Sequence, residues 1–253
     1  MRWTRLVWHV VAALVILRLV FPRASAERRR EIHAWWSRKL VRILGIEVHV
    51  DGKHPEPGAM VAANHVSWID VFCVSSVRST RFIAKSEIRD WPVAGWIAER
   101  AGTLFVKRAR RRDTARINDI VHAALAQGDC VGLFPEGTTT SGDRLLKFHS
   151  SLFEPAVANR ARVHPVAIRY EHADGTLARA MAYDELSFMQ SLALMLRQRH
   201  VVARIAFVDA LDVEGLTRRD VAAIAQERVA SRLGFPAPDS APRTLPGPPA
   251  GSP

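Results

Sequence analysis

The sequence predicts an α/β fold: a mixed, largely buried β-sheet flanked by helices, with a membrane-associated pair of helices ahead of it. Two patterns carry that prediction. Short apolar or alternating runs recur at residues 46–50, 59–63, 81–84, 103–106, 130–134, 163–170 and 201–208, the length and patterning of strands. Helix-period segments lie between several of them, most clearly at 113–126, 187–199 and 217–233. Strands alternating with helices form a sheet covered by helices. With 253 residues, 48% of them hydrophobic, the chain has apolar material for one large core. The division that follows is an N-terminal helical segment at 1–44, one catalytic-sized domain at 45–235, and a tail at 236–253 where Pro and Gly take about half the positions and no packed structure is expected.

In chain order, residues 6–21 are apolar apart from His9 and Arg18. A helix of that length spans about 24 Å, short of the roughly 30 Å hydrocarbon core of a bilayer. Arg2 and Arg5 before it and Ala24-Ser25-Ala26 after it imitate a secretory signal, but Arg18 interrupts the run and Arg23, Arg28, Arg29 and Arg30 crowd the cleavage position. Residues 26–44 repeat Ile32, Trp35, Trp36, Leu40, Val41 and Leu44 near helical spacing with basic residues between. That pattern fits an interfacial helix with tryptophans at headgroup level and arginines toward lipid phosphates. A helix packed on the domain's own core fits it as well. A single tilted span is the third arrangement these residues allow.

The formal net charge is +11, and it is segregated. Residues 1–44 hold ten Arg/Lys against Glu27 and Glu31, residues 107–116 hold six against Asp113, and the remainder is slightly acidic. A basic N-terminus beside an apolar run points to membrane lipids. Nucleic acid is not expected, because no reading motif or interleaved aromatic pattern accompanies the charge. Cys73 and Cys130 stand in apolar contexts without metal-like spacing and read as reduced core thiols of a cytosol-facing domain; a disulfide between them is the other reading. No His/Cys/carboxylate cluster points to a metal, and no cofactor is expected.

The chemistry concentrates after the second strand, in Asn64-His65-Val66-Ser67-Trp68-Ile69-Asp70. On one regular helix His65 and Asp70 would stand roughly 140° apart. They meet only if His65 lies in the loop leaving the strand and Asp70 in the first turn of the next helix, with Ser67 as its N-cap. The carboxylate then orients the imidazole, and the imidazole takes a proton from an incoming hydroxyl. A satisfied histidine at a strand–helix corner accounts for the same residues. Arg108 ends the fourth strand, where a guanidinium can clamp a phosphate; a solvated basic loop is the alternative. Phe134-Pro135-Glu136-Gly137-Thr138 leaves the fifth strand at the end where open sheets place ligands, and Gly137 permits a tight turn there. No Gly-x-Ser-x-Gly elbow supplies a serine nucleophile.

Taken together, His65-x4-Asp70, the segment from Gly102 to Arg108, Phe134 to Thr138 and Val163 to Ala167 resemble, in order and spacing, the four sequence blocks of the glycerolipid acyltransferases. The resemblance is to the bacterial 1-acyl-glycerol-3-phosphate acyltransferases and covers about residues 52–208. It implies His65 and Asp70 as the catalytic pair, and Arg108, Glu136, Gly137 and Thr138 as acceptor-binding residues. Pro165 and Val166 take the donor-binding position. The implied reaction moves an acyl group from acyl-CoA or acyl carrier protein to lysophosphatidate, giving phosphatidate, at the cytoplasmic face of a bacterial inner membrane. One departure stands out. The family commonly has Arg after Glu-Gly-Thr, where this chain has Thr139, so a phosphate acceptor needs another cation such as Arg144 or Lys147. The similar lyso-ornithine lipid acyltransferases are the alternative, and a membrane-associated lipid esterase is a further one.

Overall fold

The computed structural model describes residues 1–91, 93–106, 111–184 and 186–236, leaving aside the side chains of residues 94 and 111–116. Arg108 and nearly all of the Pro/Gly-rich tail lie outside the described residues. All seven expected strands form: β1 (Ile46–Asp51), β2 (Met60–Ala63), β3 (Thr80–Lys85), β4 (Leu104–Val106), β5 (Cys130–Leu133), β6 (Val163–Glu171) and β7 (Val201–Phe207). They make one sheet in the order β1-β7-β6-β2-β5-β3-β4. Only β6 and β7 pair antiparallel; every other neighbour is parallel. β2 therefore sits at the middle, its four residues fully buried between β6 and β5.

Because side chains alternate across a strand, β2 feeds both cores. Val61 and Ala63 face one layer with Ile168, Tyr170 and Ile205, covered by helices α2 (Ala26–Ile43), α3 (Asp70–Val77) and α7 (Phe188–Arg197). Met60 and Ala62 face the other with Val131 and Leu133, covered by α5 (Arg111–Ala126) and α8 (Arg218–Leu233). The short α4 (Ala94–Arg100) and α6 (Glu154–Ala158) complete the set. Capping fixes where the later helices begin: Ser187 with Gln190 and Thr217 with Asp220 each form a reciprocal capping box. Cys73 and Cys130 are free and buried.

The N-terminus departs from the sequence expectation. Helix α1 (Arg2–Val15) starts ahead of the apolar run and continues through a wide turn at Ile16–Val20 and a tight one at Phe21–Arg23. The resulting 22 residues extend about 33 Å, long and apolar enough to cross a membrane by length and composition. One face nevertheless docks on the body. The His9 and Trp36 rings stack 4.5 Å apart, His9 Nε2 lies 3.1 Å from the Trp36 carbonyl, and Trp36 Nε1 donates to the His9 carbonyl. Arg2 donates to the carbonyls of Gln198 and Arg199 just beyond the end of α7. The other face shows Trp3, Val7, Trp8, Val11, Val15 and Leu19 to solvent, Trp8 at 70% exposure.

Helix α2 likewise divides. Trp35 is exposed, as expected of an interfacial side chain, but Trp36 turns inward against Phe72. Leu40 and Val41 are buried in the α2–α3 layer, so this helix is part of the body's packing, and its Trp pair cannot both meet headgroups: neighbours on a helix point about 100° apart. Leu40→Ala is expected to cost about 2–5 kcal/mol through transfer and cavity terms. Trp35→Ser should stay within about 0.5 kcal/mol. Urea unfolding of the purified protein measures both, and equal small effects would mean that α2 does not contribute to the core.

Candidate active site

The site forms where β2 ends. Asn64 prolongs the pairing with β6 through its side chain, its amide donating to the Ile168 carbonyl at 3.0 Å and its carbonyl accepting from the Ile168 N–H at 2.7 Å. That lock fixes the chain one residue before His65. His65 then has its backbone N–H on Glu136 Oε1 at 2.7 Å and its carbonyl on the Thr140 N–H at 2.9 Å. Its imidazole Nδ1 meets Asp70 Oδ2 at 2.8 Å. Asp70 is fully buried, whereas His65 keeps 19% of its side chain exposed. A carboxylate only accepts here, so Nδ1 carries the hydrogen and Nε2 has the free lone pair.

Asp70 does indeed open α3, yet Ser67 is not the helix cap. The residue at that position is Ile69, which has no capping side chain, and the Ser67 hydroxyl makes no hydrogen bond among the described residues. The polarity runs the other way. The Val66 and Ser67 N–H groups point inward and donate to Asp70 Oδ2 at 2.7 and 2.9 Å, so the carboxylate organises the loop that precedes it.

Glu136 ties the two loops together. Its Oε1 holds the His65 N–H, its Oε2 accepts from the Leu146 N–H at 2.8 Å, and only 3% of the residue is exposed. Both oxygens thus face backbone, which makes Glu136 a brace for the His65 loop; the acceptor contact implied by the resemblance would need a further lone pair. Burial pushes its carboxyl up to about 7, against the two N–H donors and with the Asp70 charge. Gly137, with φ +76°, makes the turn behind it. Thr138 is exposed on the same turn. Arg144 and Lys147 are exposed on either side of Leu146 and form no ion pair among the described residues. Pro165 and Val166 are buried in β6 opposite Ala62 and Ala63, the last two residues of β2.

Four neighbours were not legible as site residues. Phe134 stacks flat on the His65 ring, centroids 3.8 Å apart, and Phe82 stacks on Phe134 at 4.8 Å. Gly132 makes room for this column, since a Cβ there would stand 2.6 Å from the Phe82 ring. Tyr170 on β6 donates its phenol to Asp70 Oδ1 at 2.6 Å. Only the apolar residue before Pro135 carried a local signal, and that signal reads equally as core. A second histidine–carboxylate pair, His164 Nε2 with Glu56 at 2.9 Å, lies at the level of Val61 near the start of β2. Among the described residues no three His, Cys, Asp or Glu side chains cluster as metal ligands.

Comparison with known proteins decides the family. The Acyltransferase family model matches residues 45–169. The lyso-ornithine lipid O-acyltransferase of Pseudomonas aeruginosa is 36% identical over 87% of this chain and 85% of its own. The chain belongs to the acyltransferase family. The 1-acyl-sn-glycerol-3-phosphate acyltransferase of Neisseria meningitidis is 38% identical over 67% of this chain and 66% of its own. The fold matches the crystal structure of the 1-acyl-sn-glycerophosphate (LPA) acyltransferase PlsC from Thermotoga maritima, with a TM-score of 0.63, 18% identity, and coverage of 92% of this chain and 97% of that one. His65, Asp70 and Glu136 all fall inside the matched segment, and this acyltransferase presents its partly exposed histidine there.

Two consequences can be measured. Gly132→Ala drives a methyl into Phe82 and through it displaces Phe134 from the His65 ring. A loss of about 1–3 kcal/mol is expected from overpacking, with a fall in turnover larger than the fall in folded protein accounts for. Unchanged turnover in folded Gly132→Ala would detach the aromatic column from the site. Glu136 binds its proton more tightly folded than unfolded, so its stabilising contribution is complete below pH 4.5 and is lost as the pH rises through about 7. The melting-temperature advantage of the natural protein over Glu136→Gln should accordingly shrink from pH 4.5 to 7.5; a constant difference refutes the assignment.

Proposed function

We propose that this acyltransferase moves a fatty acyl group from a thioester, acyl-CoA or acyl carrier protein, to the free hydroxyl of a lysolipid at a membrane surface, with His65 as general base. One observation carries the reading: Nδ1 is committed to a fully buried carboxylate while the imidazole itself reaches the surface. Nε2 takes the hydroxyl proton as the acceptor oxygen attacks the thioester carbonyl. The C–O bond forms, the tetrahedral intermediate collapses with breakage of the C–S bond, and the proton passes from Nε2 to the leaving thiolate. The thioester is already activated, so the acceptor oxygen serves as nucleophile and no acyl-enzyme is required. The Phe134 ring face under the imidazole favours the transient imidazolium.

For the acceptor, lyso-ornithine lipid is our first reading. Thr139 stands where the resemblance to the 1-acyl-glycerol-3-phosphate acyltransferases implies an arginine, and its hydroxyl is turned to the Tyr183 carbonyl. The Pseudomonas aeruginosa lyso-ornithine lipid O-acyltransferase also matches more of this chain than the Neisseria meningitidis enzyme does, 87% against 67%. Lysophosphatidate, giving phosphatidate, is the second reading, favoured by the exposed Arg144 and Lys147 beside Leu146, which form no ion pair among the described residues. Glu136, Gly137 and Thr138 border the acceptor in either case, and Arg108 distinguishes them: its loss should raise the KM of a phosphate acceptor and leave that of the donor alone. We place the protein on the cytoplasmic face of a bacterial inner membrane, held in one leaflet by the outward stripe of α1.

The deciding assay offers both lysolipids side by side to the natural protein and to His65→Ala. Loss of a general base costs about 10²–10⁴-fold, so His65→Ala should be nearly inactive with either acceptor. Near-normal activity in that folded variant, or release of free fatty acid with no acylated lipid, would refute the transfer reading. The membrane reading has its own measurement. Replacing Trp3, Val7 and Trp8 together with serine removes outward apolar surface without touching the docked face. Co-sedimentation with vesicles of mixed zwitterionic and anionic lipid should fall at least several-fold, and unchanged sedimentation would exclude α1 as the anchor.

A further inference from the structure

The Asp70 carboxylate keeps one oxygen turned away from His65. That oxygen, Oδ1, accepts a 2.6 Å hydrogen bond from the Tyr170 phenol, and the same phenol lies 3.5 Å from Cys73 Sγ. Tyr170 and Asp70 are both fully buried, at 1% and 0% exposure. We propose that Tyr170 is a positioning residue for acyl transfer: its O–H fixes the Asp70 carboxylate against His65 and limits the negative charge that the carboxylate lends to the imidazole. The proposal rests on His65 acting as general base.

Two physical effects lead there. Asp70 Oδ2 already serves three N–H groups, those of the His65 ring, Val66 and Ser67, but donors on one oxygen leave the carboxylate free to twist about its Cβ–Cγ bond. A fourth donor on Oδ1, anchored in the central sheet a hundred residues away, removes that twist. The second effect is electronic. Each hydrogen bond to a carboxylate stabilises its charge and weakens its hold on a neighbouring cation. The imidazolium must be stable enough to form when the hydroxyl is deprotonated, and acidic enough to protonate the leaving thiolate afterwards.

The titratable groups facing the pair are Glu136 from the loop after β5, Cys73 from α3 and Tyr170 from β6. Burial pushes the Cys73 thiol up to about 12 and the Tyr170 phenol well above its ordinary range, with the Asp70 charge adding to both. Both therefore stay protonated through neutral pH. Glu136 titrates, but it is common to every protein compared below.

The chain contains two tyrosines, which allows an atom-scale test. Tyr183 engages its neighbours through its backbone, its N–H donating to the Val66 carbonyl and its carbonyl accepting from Thr139, so Tyr183→Phe preserves those bonds. In that background, biosynthetic 3-fluorotyrosine alters Tyr170 alone and makes its phenol a stronger donor with almost no change in shape. The acid limb of the kcat/KM profile, measured with acyl-CoA and whichever lysolipid the side-by-side assay selects, should move to lower pH by a few tenths of a unit. Tyr170→Phe should move it to higher pH by roughly half a unit to one unit and lower kcat about tenfold, with both KM values little changed. A purely structural tyrosine would lower stability and leave the limb where it is.

Superimposable acid limbs for the fluorinated and unmodified proteins would overturn the proposal, and this comparison decides alone if Tyr170→Phe does not fold. His65→Ala in the same assay separates the two levels. Inactive His65→Ala with superimposable limbs refutes Tyr170 only; active His65→Ala refutes the general-base reading and Tyr170 with it.

Discussion

A carboxylate buried to 0% exposure has to be answered by hydrogen bonds, and Asp70 is the point on which the rest of this molecule depends. An ionised carboxylate taken out of water without partners is among the costliest features a core can contain. Asp70 has four donors within 2.9 Å, from the His65 ring, two loop amides and the Tyr170 phenol. Satisfying one charge thereby shapes the loop after β2, chooses the imidazole tautomer and couples α3 to β6. The geometry of the His65–Asp70 pair is the same set of bonds that makes the burial tolerable.

The sheet topology supplies those donors. With β2 flanked by β6 on one side and β5 on the other, the loop at its end receives Asn64 contacts from β6 and the Glu136 brace from the chain leaving β5. The aromatic column arrives through β3 and β5, where the missing side chain of Gly132 lets Phe82 lie flat beneath Phe134. His65 is consequently held at its backbone, at Nδ1 and on one ring face. The remaining freedom is at Nε2, where the proposed mechanism brings the substrate hydroxyl.

The N-terminal helices serve packing and surface at once. Helix α1 is tied down by Arg2, His9 and Trp36 on one side and offers a continuous apolar stripe on the other, so the surface suited to lipid is rigidly related to the site instead of hanging from a linker. Trp36 links the two, stacking on His9 and meeting Phe72 of α3, the helix that begins with Asp70.

The sequence by itself determined the strands, the three long helices of the domain and the pairing of His65 with Asp70. Each of these rests on local periodicity or on a five-residue spacing that a strand–helix corner can close. What only the tertiary structure decided comes from residues distant along the chain. Tyr170 reaches Asp70 across a hundred positions, Glu136 answers the His65 amide across seventy-one, and neither a buried tyrosine nor an inward carboxylate differs in sequence from ordinary core or turn. Ser67 looked like a cap because hydroxyls favour that position; the deeper carboxylate won because its charge needed the loop's amides more. The split of Trp35 from Trp36 was undecidable for the same reason. Amphipathic periodicity says which face is apolar, and only the packed neighbours decide whether that face meets protein or lipid.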